Sequence, residues 1–251
     1  VRREEMAGFG TTPTPLLRSG RLAQRLGLEG LYFKCETANL TGSFKDRPVA
    51  VAVALARRLG YERVVAASSG NAAAATAACA ARQGLSCVIV LPASTPEEKV
   101  RQTAAYGASV FKVEGPYSNS YRVALELARA HGVYNVTTTF LNPYAVEGDK
   151  LVGYELYEEL GAMPGHVYVP VGAGPLLAGI DRGLREYAAR DGLERAARMT
   201  AVQAEGNSPI ARAFARGEST VQANPHPDTI AGGIADGLCG DEQDGEYTLR
   251  I

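Results

Sequence analysis

The sequence predicts an α/β fold built on mainly parallel, twisted sheet with helices packed against it. Three observations lead there. Short β-branched runs alternate with longer stretches of helical period from residue 31 to residue 204. The runs are apolar along their length rather than at every second position, as strands covered on both faces should be. With 251 residues, 46% of them hydrophobic, the chain carries enough apolar surface for one large domain or two smaller ones.

In chain order, strands are expected at 31–35 (L-Y-F-K-C), 63–67 (R-V-V-A-A), 86–91 (S-C-V-I-V-L), 109–113 (S-V-F-K-V), 133–136 (V-Y-N-V), 166–171 (H-V-Y-V-P-V) and 199–204 (M-T-A-V-Q-A). Helices fill the intervals at about 47–59, 71–83, 96–106, 118–131, 144–160 and 175–189. Two prolines help to place helix starts. Pro48 has no N–H and its ring clashes with the carbonyl four residues back, so its helix begins near Asp46; Pro175 suits a first helical position. The tail reads as an acidic, turn-rich stretch (237–245) followed by E-Y-T-L-R-I, the start of a strand with which the chain stops. The last domain is therefore expected to be incomplete at its C-terminus.

Composition narrows the function. A net charge of −1 provides no basic field for nucleic acid or an anionic membrane. No stretch approaches eighteen apolar residues, and V-R-R-E-E-M at the start lacks the apolar core of a signal peptide. Cys35, Cys79, Cys87 and Cys239 have neither zinc-site spacing nor disulfide density, and read as reduced thiols of a cytoplasmic protein. His131, His166 and His226 share no metal-ligand spacing, so no metal is expected, and no G-x-S-x-G elbow is present.

Ligands of α/β sheets gather at the carboxyl ends of the strands, and three loops there are unusual. Residues 68–75, S-S-G-N-A-A-A-A, place small residues and a glycine where a helix begins, leaving backbone N–H groups to meet a carboxylate or phosphate. Taken alone, the simpler reading is that Ser68, Ser69 and Asn71 cap that helix. Residues 171–180, V-G-A-G-P-L-L-A-G-I, form a second anion cradle; a dinucleotide fingerprint is excluded because Leu177 stands where its last glycine belongs. The third loop, G-S-F-K-D-R-P-V-A (42–50), leaves Lys45 at a helix mouth beside Arg47, where the positive surroundings disfavour its ammonium form. A lysine amine of lowered pKa between two anion cradles is what imine chemistry on an aldehyde cofactor requires.

The runs G-S-F-K-D-R (42–47), S-S-G-N (68–71) and P-V-G-A-G-P-L-L-A-G (170–179), in that order and at these separations, resemble the fold type II enzymes that use pyridoxal 5′-phosphate, in the tryptophan synthase β superfamily. The nearest branch is threonine synthase-like, with support from T-P-L-L (14–17), K-V-R-Q-T-A-A-Y-G-A (99–108), N-P-Y-A-V-E-G-D-K (142–150) and V-Q-A-E-G-N-S-P-I (202–210). The resemblance implies that Lys45 forms the Schiff base. It implies that Gly172, Ala173, Gly174 and the N–H groups of Leu176 and Leu177 hold the cofactor phosphate. Asn71 would meet the phenolic oxygen, and Ser68, Ser69, Gly70 and Asn71 would grip the carboxylate of a small amino-acid substrate.

The same resemblance implies two α/β domains, a smaller one over 46–139 and a larger one made of 1–45 plus 140–251, and a homodimer. The implied reaction is that of a carbon–oxygen lyase turning O-phosphohomoserine and water into threonine and phosphate. Alternatives are a threonine or serine dehydratase, a β-replacement enzyme on an activated serine, and a non-catalytic relative. The dehydratase alternative draws on T-I-A-G-G-I-A-D-G (229–237) and on departures from the threonine synthase pattern. Ala145 replaces an arginine that helps bind substrate phosphate, Asp149 replaces a glutamine and Leu151 a threonine. Lys99, Arg101 and Lys150 are read as solvated surface residues rather than substitutes for that arginine.

Overall fold

In the computed structural model, which describes residues 11–251, the chain opens with β1 (Leu16–Arg18) and β2 (Tyr32–Lys34) joined through helix α1 (Gly20–Leu26). This pair is antiparallel, with Leu17 opposite Phe33. The run at 31–35 is thus not a parallel strand covered on both faces; Tyr32 and Phe33 are exposed, and its partner β1 is a short strand with no sequence signal of its own.

Helix α2 (Asp46–Arg58) begins where Pro48 requires and is apolar nearly all round, which marks a buried helix. It leads into β3 (Arg63–Ala67), α3 (Asn71–Gln83), β4 (Ser86–Pro92), α4 (Glu97–Ala105), β5 (Ser109–Val113), α5 (Tyr117–His131) and β6 (Tyr134–Asn135). The four strands form one parallel sheet in the order β5-β4-β3-β6. Val65 lies opposite Val88 on one side and Asn135 on the other. The chain runs outward through β4 and β5 and then returns to the far side of β3. Such a reversal opens a crevice at the carboxyl ends of the two strands that flank it. Alanine-rich α3 packs its small side chains with Val64, Ala66, Ile89 and Leu91 and with Val49 and Val53 of α2 in one core.

The second half holds α6 (Pro143–Leu160), β7 (His166–Pro170), α7 (Pro175–Arg190), β8 (Arg198–Val202), α8 (Pro209–Arg216) and α9 (Glu242–Leu249), with β7 and β8 parallel. Helix α6 is central because it crosses both α2 and α7 at glycines. A Cβ on Gly148 would stand 2.3 Å from the carbonyl oxygen of Arg47, and one on Gly179 would stand 2.3 Å from Cβ of Asp149.

The tail departs from expectation. Residues 242–249 form helix α9 rather than an acidic turn and a strand. Gly245 and Thr248, three apart, are buried on one face, with Gly245 against Leu238 and Val221. Glu242 and Asp244 suit the positive end of a helix. The β-propensity of E-Y-T-L-R-I loses to this packing. The four cysteines are free, and burial pushes the thiols of Cys79 and Cys87 up to about 12.

Candidate functional site

Lys45 is the residue before α2, in right-handed helical conformation and half-buried. Its Nζ donates to Oγ1 of Thr138 at 2.8 Å and stands 4.8 Å from the ring centre of Phe44. Among the described residues no carboxylate lies within ion-pair distance of it. Burial lowers its pKa, and the more distant carboxylates of Asp149 and Asp236 oppose that shift. Thr138 follows β6, and the neighbouring Thr137 accepts the N–H of Ala67 at 3.2 Å, so the amine sits at the crevice beside the end of β3.

The expected part of Arg47 in this is corrected. Its side chain turns away into the core and is fully buried. There Nη1 and Nη2 donate to the two oxygens of Glu155 at 2.6 and 2.8 Å, and Nε donates to Glu36 at 2.6 Å. Thr14, from the T-P-L-L run, completes the cluster by accepting from Nη2 at 3.0 Å and donating to Glu36 at 2.6 Å. Burial opposes the charge on Arg47, but the hydrogen bonds of Glu155 and Glu36 outweigh it. A guanidinium neutralised this completely does not depress its neighbour; burial of the amine does.

The glycine turn follows β7. Gly174 is the residue before α7, with φ 112°, a conformation that favours glycine, and Pro175 takes the first helical position. A Cβ at Gly174 would stand 1.9 Å from Oγ1 of Thr248, which donates to the carbonyl of Ala173 at 2.7 Å. A Cβ at Gly172 would crowd Cβ of Asp236 at 3.2 Å. Gln203 donates to the carbonyls of Val171 and Gly172 and accepts the N–H groups of Ile210 and Ala211, tying the turn to the start of α8. Ala173 and Leu177 are buried, and Leu176 is half-buried. No side chain among the described residues caps α7, which leaves its first N–H groups for an anion.

The capping role of Ser68, Ser69 and Asn71 is not realised. Helix α3 takes Gly70 as its N-cap residue with no side-chain cap, and Oγ of Ser68 accepts the N–H of Gly70 instead. Ser68 and Ser69 are half-buried, while Gly70 and Asn71 are exposed at the crevice. Tyr117 closes this end by donating to the carbonyl of Ala67 at 3.0 Å, beside a small cleft it shares with Tyr121, Cys239 and Asp241.

Asp149 and Asp236 connect the parts. Each places its charge within range of Lys45; Asp236 lies on the glycine turn, and Asp149 touches Gly179 of the helix that the turn heads. Asp149 is 1% exposed, its Oδ1 has no hydrogen-bond partner, and burial raises its carboxyl to about 7. Sequence reading noted Asp149 only as a departure from a pattern and missed Thr138, Asp236 and Thr248. The hydroxyl-rich T-T-T-F after β6 and the A-D-G in a glycine-rich stretch were the available signals.

Ala145, standing where a phosphate-binding arginine would be, is a buried core residue. Lys150 does not compensate, being paired with Glu147 at 2.8 Å and Glu186 at 2.6 Å.

A half-buried amine of lowered pKa and a glycine turn that opens a helix whose first N–H groups no described side chain caps fit an aldehyde bearing a phosphate. A parallel α/β sheet whose reversal point faces such an amine, with a glycine-headed helix nearby, defines the fold type II class. The chain belongs to the pyridoxal-phosphate dependent enzyme family, whose model matches residues 8–251. It is 36% identical over 223 residues to the threonine synthase of Methanocaldococcus jannaschii, covering 88% of this chain and 55% of that protein. The threonine synthase of Bacillus sp. (strain ULM1) is 34% identical, over 88% of this chain and 60% of its own length. The chain thus spans little more than half of these relatives. Among solved structures, a threonine deaminase from T.th. matches with a TM-score of 0.77 at 27% identity, over 99% of this chain and 80% of that one. Maize serine racemase gives 0.79 at 24% identity, over 98% and 74%, a likeness of fold alone.

Proposed function

We propose that the protein carries pyridoxal 5′-phosphate on Lys45 and converts O-phosphohomoserine and water to threonine and phosphate. The observation that carries this reading is the Lys45 amine, buried without an ion pair among the described residues at the carboxyl ends of β3 and β6. The threonine synthase relatives supply the choice of reaction.

In this reading Gly172, Ala173, Gly174 and the N–H groups of Leu176 and Leu177 hold the phosphate. Asn71 meets the ring oxygen, and Ser68, Ser69 and Gly70 hold the substrate carboxylate together with Asn71. When bound, the cofactor supplies an electron sink for the bonds that break at the substrate α carbon. Nζ of Lys45 accepts the α proton, a task for which an amine kept below its ordinary pKa by burial is suited. Thr138 orients that nitrogen through its hydrogen bond. Residues 46–139 would form the smaller of two domains, with 1–45 and 140–251 forming the larger. The working form would be a cytoplasmic homodimer.

A second reading is dehydration of threonine or serine, favoured by Ala145, which leaves α6 without the cation a substrate phosphate wants, or β-replacement on an activated serine, which Ala145 favours only where the leaving group is not a phosphate. Borohydride treatment of the full-length holoprotein should fix a chromophore to the peptide containing Lys45. Fixation to another lysine, or none, overturns the assignment. Phosphate and threonine released from O-phosphohomoserine support the first reaction. Keto acid from L-threonine supports the second.

A further inference from the structure

Asp149 is the buried titratable group that the proposed chemistry leaves without a task. It sits where α6 crosses two helices at once, with Gly148 against the backbone of Arg47 and Gly179 of α7 against its own Cβ. Packing this tight takes the carboxyl out of water, yet Oδ1 finds no partner. A carboxyl so placed is costly unless a charge compensates it.

The charged groups it faces are few. From the loop before α2 comes Lys45, from α2 itself Arg47, and from the turn at 36–38 Glu36, while Gly179 of α7 packs against its Cβ. Arg47 is already matched by Glu36 and Glu155. The cation left for Asp149 is Lys45, which in turn faces Asp236 at the glycine turn. No ion pair closes between Lys45 and Asp149, so the lysine nitrogen is not tied to the carboxylate while remaining within reach of its charge.

We propose that Asp149 is a positioning residue for Lys45, and that the two groups share one proton. When the lysine is a free ammonium, Asp149 is a carboxylate; when the nitrogen is a neutral amine, Asp149 is a carboxylic acid. One N–H bond is exchanged for one O–H bond, and the net charge of the pair is unchanged. This deepens the reading of Lys45 as the reactive nitrogen and rests on it: a lysine that must alternately give up and regain a proton can do so without changing the charge of its buried surroundings. Burial raises Asp149 and lowers Lys45, which brings their titrations toward each other.

The test uses the full-length protein freed of carbonyl cofactor. Lysines are trace-labelled with acetic anhydride between about pH 5 and pH 11, and the Lys45 peptide is quantified by mass spectrometry. Replacing the carboxylate in Asp149→Asn should lower the midpoint of Lys45 labelling by about one pH unit, near tenfold more labelling around neutrality, with exposed Lys99 unchanged as reference. Asp149→Glu should restore much of the parent midpoint. An unchanged Lys45 midpoint in folded Asp149→Asn overturns the proposal. Should that variant not fold, the parent decides: a paired titration gives Lys45 a curve broader than one proton, and a simple one-proton curve overturns the proposal. A wrong covalent assignment of Lys45 shows separately, in the borohydride experiment.

Discussion

Lys45 and Arg47 are two cations two residues apart, and their surroundings could hardly differ more. Arg47 is fully buried, and its guanidinium meets Glu36, Glu155 and Thr14. Lys45 has a single hydroxyl partner, Thr138, and two carboxylates that it feels but does not touch. Burial alone therefore does not mark a reactive residue, since Arg47, fully shielded from solvent, is held in a clasp, and it is Lys45 that is proposed to react. What distinguishes them is whether the charge is matched: a matched cation is a structural clasp, and an unmatched amine is left able to change its protonation state.

The largest expected effect follows from breaking the matched side. Arg47→Met strands Glu36 in a buried cluster and leaves Glu155 to Lys34, 2.7 Å away. Removing one partner of a buried ion pair costs about 3–5 kcal/mol, and urea unfolding of the variant should show a loss of that size. Lys45→Met removes no ion pair, and near pH 5, where the raised carboxyl of Asp149 holds its own proton and needs no cation, its stability should stay within about 1 kcal/mol of the parent. Equal losses in the two variants would place Lys45 in the clasp and erase the contrast.

A smaller effect separates the two sites by pH. Glu155 is held below its ordinary pKa: burial opposes this, but the hydrogen bonds of Arg47 and Lys34 prevail. Its contribution is present above the ordinary glutamate value of 4.5 and is lost as pH falls through the lower folded value. Asp149 runs the other way. With its carboxyl raised by burial from 3.8 to about 7, it contributes stability that is complete below 3.8 and lost as pH rises through about 7. Asp149→Asn should therefore raise Tm at pH 8, by about 2–4 °C for each 1 kcal/mol relieved, and give no comparable gain near pH 4. A rise that is the same at both values would mean that packing, not charge, had changed.

Much of this contrast could be read in advance, and the unread part has a physical reason. The alternation of runs placed β3, β5 and α3 at their observed residues because strands and helices that share a buried core carry their period in the local sequence. Pro48 fixed the start of α2, and with it Lys45 at the helix mouth. The partner of Arg47 lies 108 residues away in Glu155, a pairing that no local pattern encodes, so sequence reading assigned the arginine an influence on Lys45 that it does not have. Helix α9 was missed for the same kind of reason. Its buried face is defined by Val221 and Leu238, which only the fold brings to Gly245.

The smallest effect tests whether the glycine turn belongs with the matched or the unmatched side. Oγ1 of Thr248 donates to the carbonyl of Ala173 at 2.7 Å and also lies 2.9 Å from the carbonyl of Asp244, so α9 is fastened to the turn by one hydroxyl, much as Lys45 is fastened by Thr138. Thr248→Val keeps the shape and removes the donor, leaving a buried carbonyl oxygen of Ala173 unsatisfied at a cost of about 1 kcal/mol. That strain falls on the backbone between Gly172 and Gly174, where the phosphate is proposed to bind. Fluorescence titration with pyridoxal phosphate should then show affinity weakened by about fivefold, while borohydride at saturating cofactor still labels Lys45. If affinity is untouched and only the unfolding midpoint moves, the hydroxyl is a fastening of α9 alone, and the turn is held in shape by Gln203 and the left-handed Gly174 without it.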